Sequence, residues 1–295
     1  MSNFMKQIKS HLLFIPAVVA GILFISQGAW AQDSANRVTV PLSDPSRPSL
    51  VSAHLLTGSI TVKAYDGKEV IVEASSREAE ESRSGRHYGT GSKEETSTDG
   101  LKRIPMLATG LSVEAENNQV NISTDSTRRA TDLTITVPVH TSLSLHTVNG
   151  GNITVTGVDG ELDINNVNGT VTLNNVSGSA VAHALNGRVL ATFNRVDAKP
   201  MAFSSLNGSI DVTFPASLKA NLNMRSDNGE VFSDFDIKLL PNAPQQTVED
   251  GRANGGTYRV KIDKTVRGTI NGGGSEIQFK NFNGNIYIRK AGGNK

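Results

Sequence analysis

Glycine falls at positions 151, 160, 169, 178 and 187, an unbroken spacing of nine. Units that short cannot each bury an apolar face, so a chain built on them must stack one unit on the next and share a core. The residues between the glycines repeat as well. Two positions on come Ile153, Leu162, Val171, Ala180 and Val189, and four positions on come Val155, Ile164, Leu173, Ala182 and Ala191. A third apolar column, seven positions on, holds Val158, Val167, Val176 and Leu185. Thr154, Asp163, Thr172 and Val181 lie between the first two columns, where the two-residue period of a strand turns them away from the core. Asp159, Asn168, Ser177 and Asn186 precede glycines and suit turns. The glycine after each is expected to adopt a positive φ without a Cβ penalty.

The phase extends beyond this tract. Thr141 leads to Leu143, Leu145, Val148 and Gly150, and one extra residue before Gly151 marks a candidate bulge. Gly58 leads to Ile60, Val62, Tyr65 and Gly67, with Tyr65 expected to close one edge of the core. Ser275 leads to Ile277, Phe279, Phe282 and Gly284, and Gly284 to Ile286 and Ile288. Asn194 breaks the third column, and Phe193 and Val196 are expected to restore burial there; Gly208 and Gly229 then follow at a spacing of 21.

Composition agrees with short strands and tight turns: 28 Gly, 10 Pro and only 5% aromatic residues leave the core to Val, Ile, Leu and Ala. The fold class is all-β. Nine residues are too few for one coil, so two units would make an 18-residue, two-sided coil and three a triangular one. A parallel β-solenoid or β-helix-like domain, with coils about 4.8 Å apart, is the expectation. An antiparallel β-sandwich or meander is the alternative, because Asn-Gly at 149–150, 168–169, 186–187 and 207–208 is also a hairpin signal. The proline-limited segment at Val137-Pro138 and the pair Arg289-Lys290 are expected to blunt the ends.

Residues 1–31 read as a signal peptide: Lys6 and Lys9 precede an apolar run of 14 residues, Leu12 to Ile25, and Ala29-Trp30-Ala31 offers a small-x-small cleavage site. That run is short for a membrane span, so no transmembrane anchor is expected in the mature chain, which belongs in the periplasm or at the cell surface. Residues 32–50 are expected to be a flexible approach and 51–290 a repetitive β domain. A polar stretch at 75–104 is read as a mobile insertion, and 291–295 as a C-terminal tail. Two of the 29 Lys and Arg residues fall in 1–31 and none of the 28 Asp and Glu, so the remainder carries −1 and does not favour nucleic acid. The chain has no cysteine, which excludes disulfides and thiol chemistry.

The sequence assigns no catalytic, cofactor-binding or metal-ligating residue. His54, His87, His140, His146 and His183 lack zinc-motif spacing, and His11 falls in the leader. Gly272-Gly273-Gly274 has no following lysine-hydroxyl pair and is read as a tight turn rather than a phosphate loop. Asp159, Asp163 and Asp197 are weak calcium candidates, because the repeat lacks the Gly-Gly-x-Gly-x-Asp arrangement. Glu161 and Asp163, on one side of a strand, are the least poor pair for glycan hydrolysis.

Leu133-Thr134-Ile135-Thr136-Val137-Pro138, the serial tract from Leu143 to Gly187, and Gly268 to Gly274 followed by Asn283-Gly284-Asn285-Ile286 together resemble the bacterial DUF4097 family, described as candidate adhesins with β-helical repeats. The resemblance covers roughly residues 50 to 290 and implies a β-rich, envelope-associated domain with no catalytic residues to carry over. The function expected is a noncatalytic extracytoplasmic scaffold mediating adhesion or envelope interactions, with an envelope protein or glycan as partner. The alternatives are a structural protein that stabilises an envelope assembly or self-associates through a terminal strand and, third, a glycan hydrolase.

Overall fold

The computed structural model describes residues 37–77, 110–124, 130–241, 246–250, 258–262 and 264–292. The signal peptide reading of 1–31 and most of the 75–104 insertion lie outside them. In chain order the strands are β1 (Arg37–Pro41), β2 (Ser49–Thr57), β3 (Ile60–Tyr65), β4 (Glu69–Arg77), β5 (Leu111–Glu116), β6 (Gln119–Thr124), β7 (Ala130–Pro138), β8 (Thr141–Asn149), β9 (Ile153–Thr156), β10 (Asp159–Asn166) and β11 (Val171–Asn186). They continue as β12 (Val189–Val196), β13 (Met201–Asn207), β14 (Ile210–Phe214), β15 (Ala220–Asn228), β16 (Val231–Ser233), β17 (Ile237–Leu239), β18 (Gln246–Asp250), β19 (Tyr258–Ile262), β20 (Val266–Ile270), β21 (Ser275–Asn283) and β22 (Ile286–Lys290). β18 and β19 pair only with each other among the described strands, and the other twenty form one continuous sheet.

That sheet is two rows joined through β11. The first row runs β5-β6-β2-β8-β10-β11-β13-β21-β15-β20-β17, using the second half of β11. The second runs β1-β4-β7-β3-β9-β11-β12-β14-β22-β16, using the first half. In the central tract partners are 18 residues apart and parallel: Ile153 beside Val171, Leu162 beside Ala180, Val171 beside Val189. Two nine-residue units therefore make one two-sided coil. The extra residue before Gly151 widens the offset to 19 at Leu143 and Leu162, and the spacing of 21 appears at Val189 and Ile210.

The fold is all-β with mixed pairing, and the expectation of a purely parallel solenoid is corrected. Antiparallel strands flank the parallel middle: β5 on β6, β4 and β1 beyond β7, and β20 and β17 beyond β15. Two facing layers around one core give it the character of the sandwich alternative. Coil order also departs from chain order. β21 lies between β13 and β15, and β22 between β14 and β16, so the last coil in sequence is inserted inside its predecessor. Consequently Pro138, on β7, and Arg289-Lys290, on β22, lie on interior strands and do not cap the stack.

Three further readings change. Residues 37–41 of the expected flexible approach are strand β1, because Val40 and Leu42 bury their side chains and β1 finds a partner in β4. The loop after β1 is tied down by Asn118, whose Oδ1 accepts from the Asp44 N–H at 2.8 Å and whose Nδ2 donates to the Asp44 carbonyl at 2.6 Å. Ser75 to Arg77 continue β4 against β7, so the polar stretch does not begin at 75. Tyr65 closes the β3–β4 turn instead of the core, its hydroxyl donating to the Glu69 carbonyl at 2.9 Å.

The first two apolar columns form the core: Ile153, Val155, Ile164, Val171, Leu173 and Val189 are wholly buried. The third column splits. Val158 and Val176 are buried, whereas Leu185 is 45% exposed. Alternate units sit at opposite corners of a two-sided coil, and at one corner the residue before the expected one turns inward. At the Asn194 break, Phe193 takes the buried place beside Val176 through a register shift, while Asn194 stays exposed and donates to the Asn175 carbonyl. Phe193, Phe203, Phe214 and Phe279 cluster there with centroids 5.4–6.5 Å apart, so the few core aromatics fill the wider C-terminal coils.

The glycines stack on one another. A Cβ on Gly169 would lie 2.0 Å from the Gly151 carbonyl oxygen, one on Gly187 2.0 Å from that of Gly169, and one on Gly178 2.1 Å from that of Gly160. Positive φ is found at Gly178, Gly58 and Gly284 but not at Gly151, Gly160, Gly169 or Gly187, so close backbone approach, rather than turn geometry, demands glycine at those four. Leu173→Ala is expected to cost about 2–5 kcal/mol through its cavity and Gly169→Ala about 1–3 kcal/mol or more through overpacking, with outward Thr172→Ala within about 0.5 kcal/mol. Urea unfolding midpoints check the ranking; a harmless Gly169→Ala would refute the stacking argument.

Candidate interaction surface

One corner of the coil repeats as a four-residue pattern ending in Asn-Gly: Thr147-Val148-Asn149-Gly150, Asn166-Val167-Asn168-Gly169, Ala184-Leu185-Asn186-Gly187, Ser205-Leu206-Asn207-Gly208 and Asn281-Phe282-Asn283-Gly284. Leu55-Leu56-Thr57-Gly58 and Ser226-Asp227-Asn228-Gly229 stand at its two ends. Strand registers bring like positions side by side: Leu55 by Thr147, Thr147 by Asn166, Asn166 by Ala184, Ala184 by Ser205, Ser205 by Asn281, Asn281 by Ser226.

The first position points inward and serves the glycine column. The carbonyl beneath each stacked glycine aims at that glycine's Cα, so at five of the six rungs its hydrogen bond comes from a side chain. Thr147 donates to Gly58 O at 3.0 Å, Asn166 to Gly151 O at 2.9 Å and Ser205 to Gly187 O at 2.9 Å. Asn281 donates to Gly208 O at 2.8 Å and Ser226 to Gly284 O at 3.0 Å. The third position forms an outward ladder of amides: Asn168 donates to Asn149, Asn186 to Asn168, Asn207 to Asn186, Asn283 to Asn207 and Asn228 to Asn283, at 2.8–3.3 Å.

The second position is apolar and faces solvent. Leu56, Val148, Val167, Leu185, Leu206 and Phe282 form one file, ended by Asp227. All but the half-buried Val167 are 38–47% exposed. Isolated exposed aliphatics need no explanation, but a contiguous file of them marks an interaction surface. Beside it, two residues toward the N-terminus on each strand, run His54, His146, Asn165, His183, Ser204, Lys280 and Arg225.

The chemical candidates are placed elsewhere or occupied. Glu161 and Asp163 face outward on β10, and Glu161 is held by Lys199 at 2.5 Å. That carboxylate also raises the Lys199 pKa, first by hydrogen bonding and then by charge. They line an open groove with Ser142, Ser144 and Lys199. Asp159 and Asp197 do converge, but on the guanidinium of Arg195, whose pKa they raise. Asp163 is not with them, and among the described residues no three His, Asp or Glu side chains could hold a metal ion. His140 reaches Asp159 at 3.5 Å, His183 bonds Ser204, and His87 lies outside the described residues. Asn271, Gly272 and Gly273 take positive φ in the turn between β20 and β21, as a tight turn requires.

The family now follows from a match independent of these geometries. The Toastrack DUF4097 family matches residues 112–271, more than half of the chain. The chain belongs to that family. The expectation of membership holds at that level, and this Toastrack DUF4097 member is an all-β scaffold whose Asp159, Asp197 and Glu161 carboxylates are held in ion pairs along an open surface. No curated protein sequence matches the chain. Two solved structures are similar in part. One is a candidate cell adhesion protein from Clostridium sporogenes, 10% identical, with 86% of this chain and 99% of that one covered and a TM-score of 0.38. The other is a candidate adhesin from Bacteroides fragilis, 12% identical, with 86% and 95% covered and a TM-score of 0.33. Those scores are too low to equate the folds. Among the described residues no helix is long and apolar enough to cross a membrane.

The nine-residue pattern places Val167 and Leu185 in one apolar column with Val158 and Val176, and so hides the exposed file. The signal was present: an apolar residue stands directly before Asn-Gly at Val148, Val167, Leu185, Leu206 and Phe282.

Two outcomes are expected of single changes here. Asn166 leaves its Oδ1 without a partner among the described residues, an expense its hydroxyl counterparts Thr147 and Ser205 avoid. Asn166→Thr should therefore be neutral or stabilising by up to about 1 kcal/mol, and Asn166→Leu destabilising by about 1–3 kcal/mol, in urea unfolding. The ring of His54 stacks on His146 at 4.7 Å, and lost solvation, then the charge of His146, lowers its pKa. A lowered imidazole pKa means the unfolded chain binds the proton more readily, so this contribution is complete above the ordinary value of 6.5 and lost as pH falls below it. His54→Gln should flatten the acid limb of the stability profile; an unchanged acid limb would remove this role.

Proposed function

We propose that this chain is a structural, noncatalytic scaffold of the bacterial envelope, exported by its leader and held in an assembly through one repeat face. The observation that carries this reading is the solvent-facing apolar file from Leu56 to Phe282, set between the amide ladder and the histidine-containing polar column. A β-solenoid-like middle suits the role, since hydrogen-bonded coils hold each rung about 4.8 Å from the next whatever the side chains do. Adhesion to an envelope glycan is the second reading, favoured by the open groove that collects Ser142, Ser144, Glu161, Asp163 and Lys199.

A photo-crosslinking residue at position 206 or, on the opposite row, position 172 separates these readings when the full sequence is expressed in a bacterial host. The expected result is a covalent product at 206, its partner identified by mass spectrometry, and none at 172. Saturable glycan binding lost in Glu161→Gln with position 206 silent would favour the second reading. Turnover of an envelope glycan abolished by Glu161→Gln and Asp163→Asn would overturn both.

A further inference from the structure

We infer that the apolar file is an isologous interface, and that its occupant is the same file of a second copy running in the opposite direction. The inference rests on the assembly reading above and names the partner. Six rungs at about 4.8 Å make a stripe roughly 24 Å long. With the amide ladder on one side and the histidine-containing column on the other, the face is roughly 18 Å wide, allowing about 3.4 Å per residue along the strand plus side-chain reach. Two such faces cover roughly 860 Å² in total, the size of a weak, reversible contact.

Side-chain sizes select the antiparallel arrangement. With a two-fold axis across the stripe, Leu56 meets the partner's Phe282, Val148 meets the partner's Leu206, and Val167 meets the partner's Leu185, so small residues face large ones along the middle. A parallel arrangement would set Val on Val and Phe on Phe, leaving a gap at the centre and a clash at the end. Charge points the same way. Lys280 flanks only the Phe282 end, where its neighbour Arg225 is neutralised by Asp227, so antiparallel copies hold the two lysines at opposite ends while parallel copies gather them at one.

The amide ladder is also self-complementary in this arrangement. Each interior asparagine spends one N–H and one oxygen lone pair on its neighbours in the ladder, as Asn186 does with Asn168 and Asn207. One donor and one acceptor remain on Asn186, Asn207 and Asn283, while Asn168 gives its second N–H to the Val148 carbonyl. The antiparallel two-fold lays ladder against ladder, where those groups find each other.

The absence of cysteine gives a clean test. Protein expressed from the full sequence should show a concentration-dependent monomer–dimer equilibrium by sedimentation velocity. Leu206→Asp and Leu185→Asp should each weaken it at least about tenfold, whereas Val181→Asp, exposed on the same row outside the stripe, should not. Direction is read by oxidation: Val148→Cys combined with Leu206→Cys should form a crosslinked dimer, and either change alone should not. Crosslinking by Leu206→Cys alone would overturn the antiparallel arrangement. A monomer at every concentration, with circular dichroism intact, would overturn the inference. If the photo-crosslink at 206 then identifies a different protein, the assembly reading stands without it; a silent position 206 removes both.

Discussion

The whole stack depends on one contact, a glycine carbonyl aimed at the Cα of the glycine in the next coil. With room for a Cβ measured at about 2 Å of separation, the distance is set by backbone on both sides, and no side chain can be accommodated without parting the coils. That contact explains why the nine-residue spacing holds through the tract from Gly151 to Gly187: successive glycines serve opposite corners, and each corner needs one per coil. It also explains the polar residue facing inward at this corner. A carbonyl that meets a Cα of the next coil instead of an N–H makes no ladder bond, and a hydroxyl or amide of that next coil has to supply its hydrogen bond. Ala184 is the exception, and nothing in the structure explains why that rung does without a donor.

Much of this was legible in the residues. The two inward columns, the 18-residue alternative among the coil lengths, the compensation of Asn194 by Phe193 and the turn at Gly272 all follow from local rules about period and turn chemistry. What local rules cannot supply is which corner a unit occupies. Val158 and Val167 stand at equivalent places in the nine-residue pattern, yet one is sealed inside and the other faces out, because the true period is eighteen. Averaging the two corners made one apolar column of a buried one and an exposed one, and the interaction surface vanished in the average.

Coil order was equally beyond reach of pattern. Ser275 to Lys290 repeats the offsets of earlier coils, but only long-range pairing decides that it enters between β13–β14 and β15–β16. Insertion places a coil-forming segment from the C-terminus where both its edges are covered, and leaves the outer positions to antiparallel strands and to short β16. A parallel stack that simply ended would expose a full row of N–H and C=O groups of fixed direction to any similar chain. Reversing strand direction at the margins changes that row into one that a further parallel coil does not match, so axial growth is discouraged at the ends.

That arrangement bears on how such a molecule meets a partner. If the ends are closed to further coils, what remains is the lateral surface, where the same backbone spacing that forbids a Cβ inside dictates a regular file of side chains outside. The polar ladder and the apolar file are neighbours in sequence, one residue apart at every corner, so the amides that align the coils also fix the leucines and valines beside them. Ordering a flexible apolar patch would subtract from its affinity, whereas a file already held at regular spacing meets its partner with little entropy left to lose. A modest stripe on a rigid stack can therefore hold an assembly together where the same residues on a loop would not.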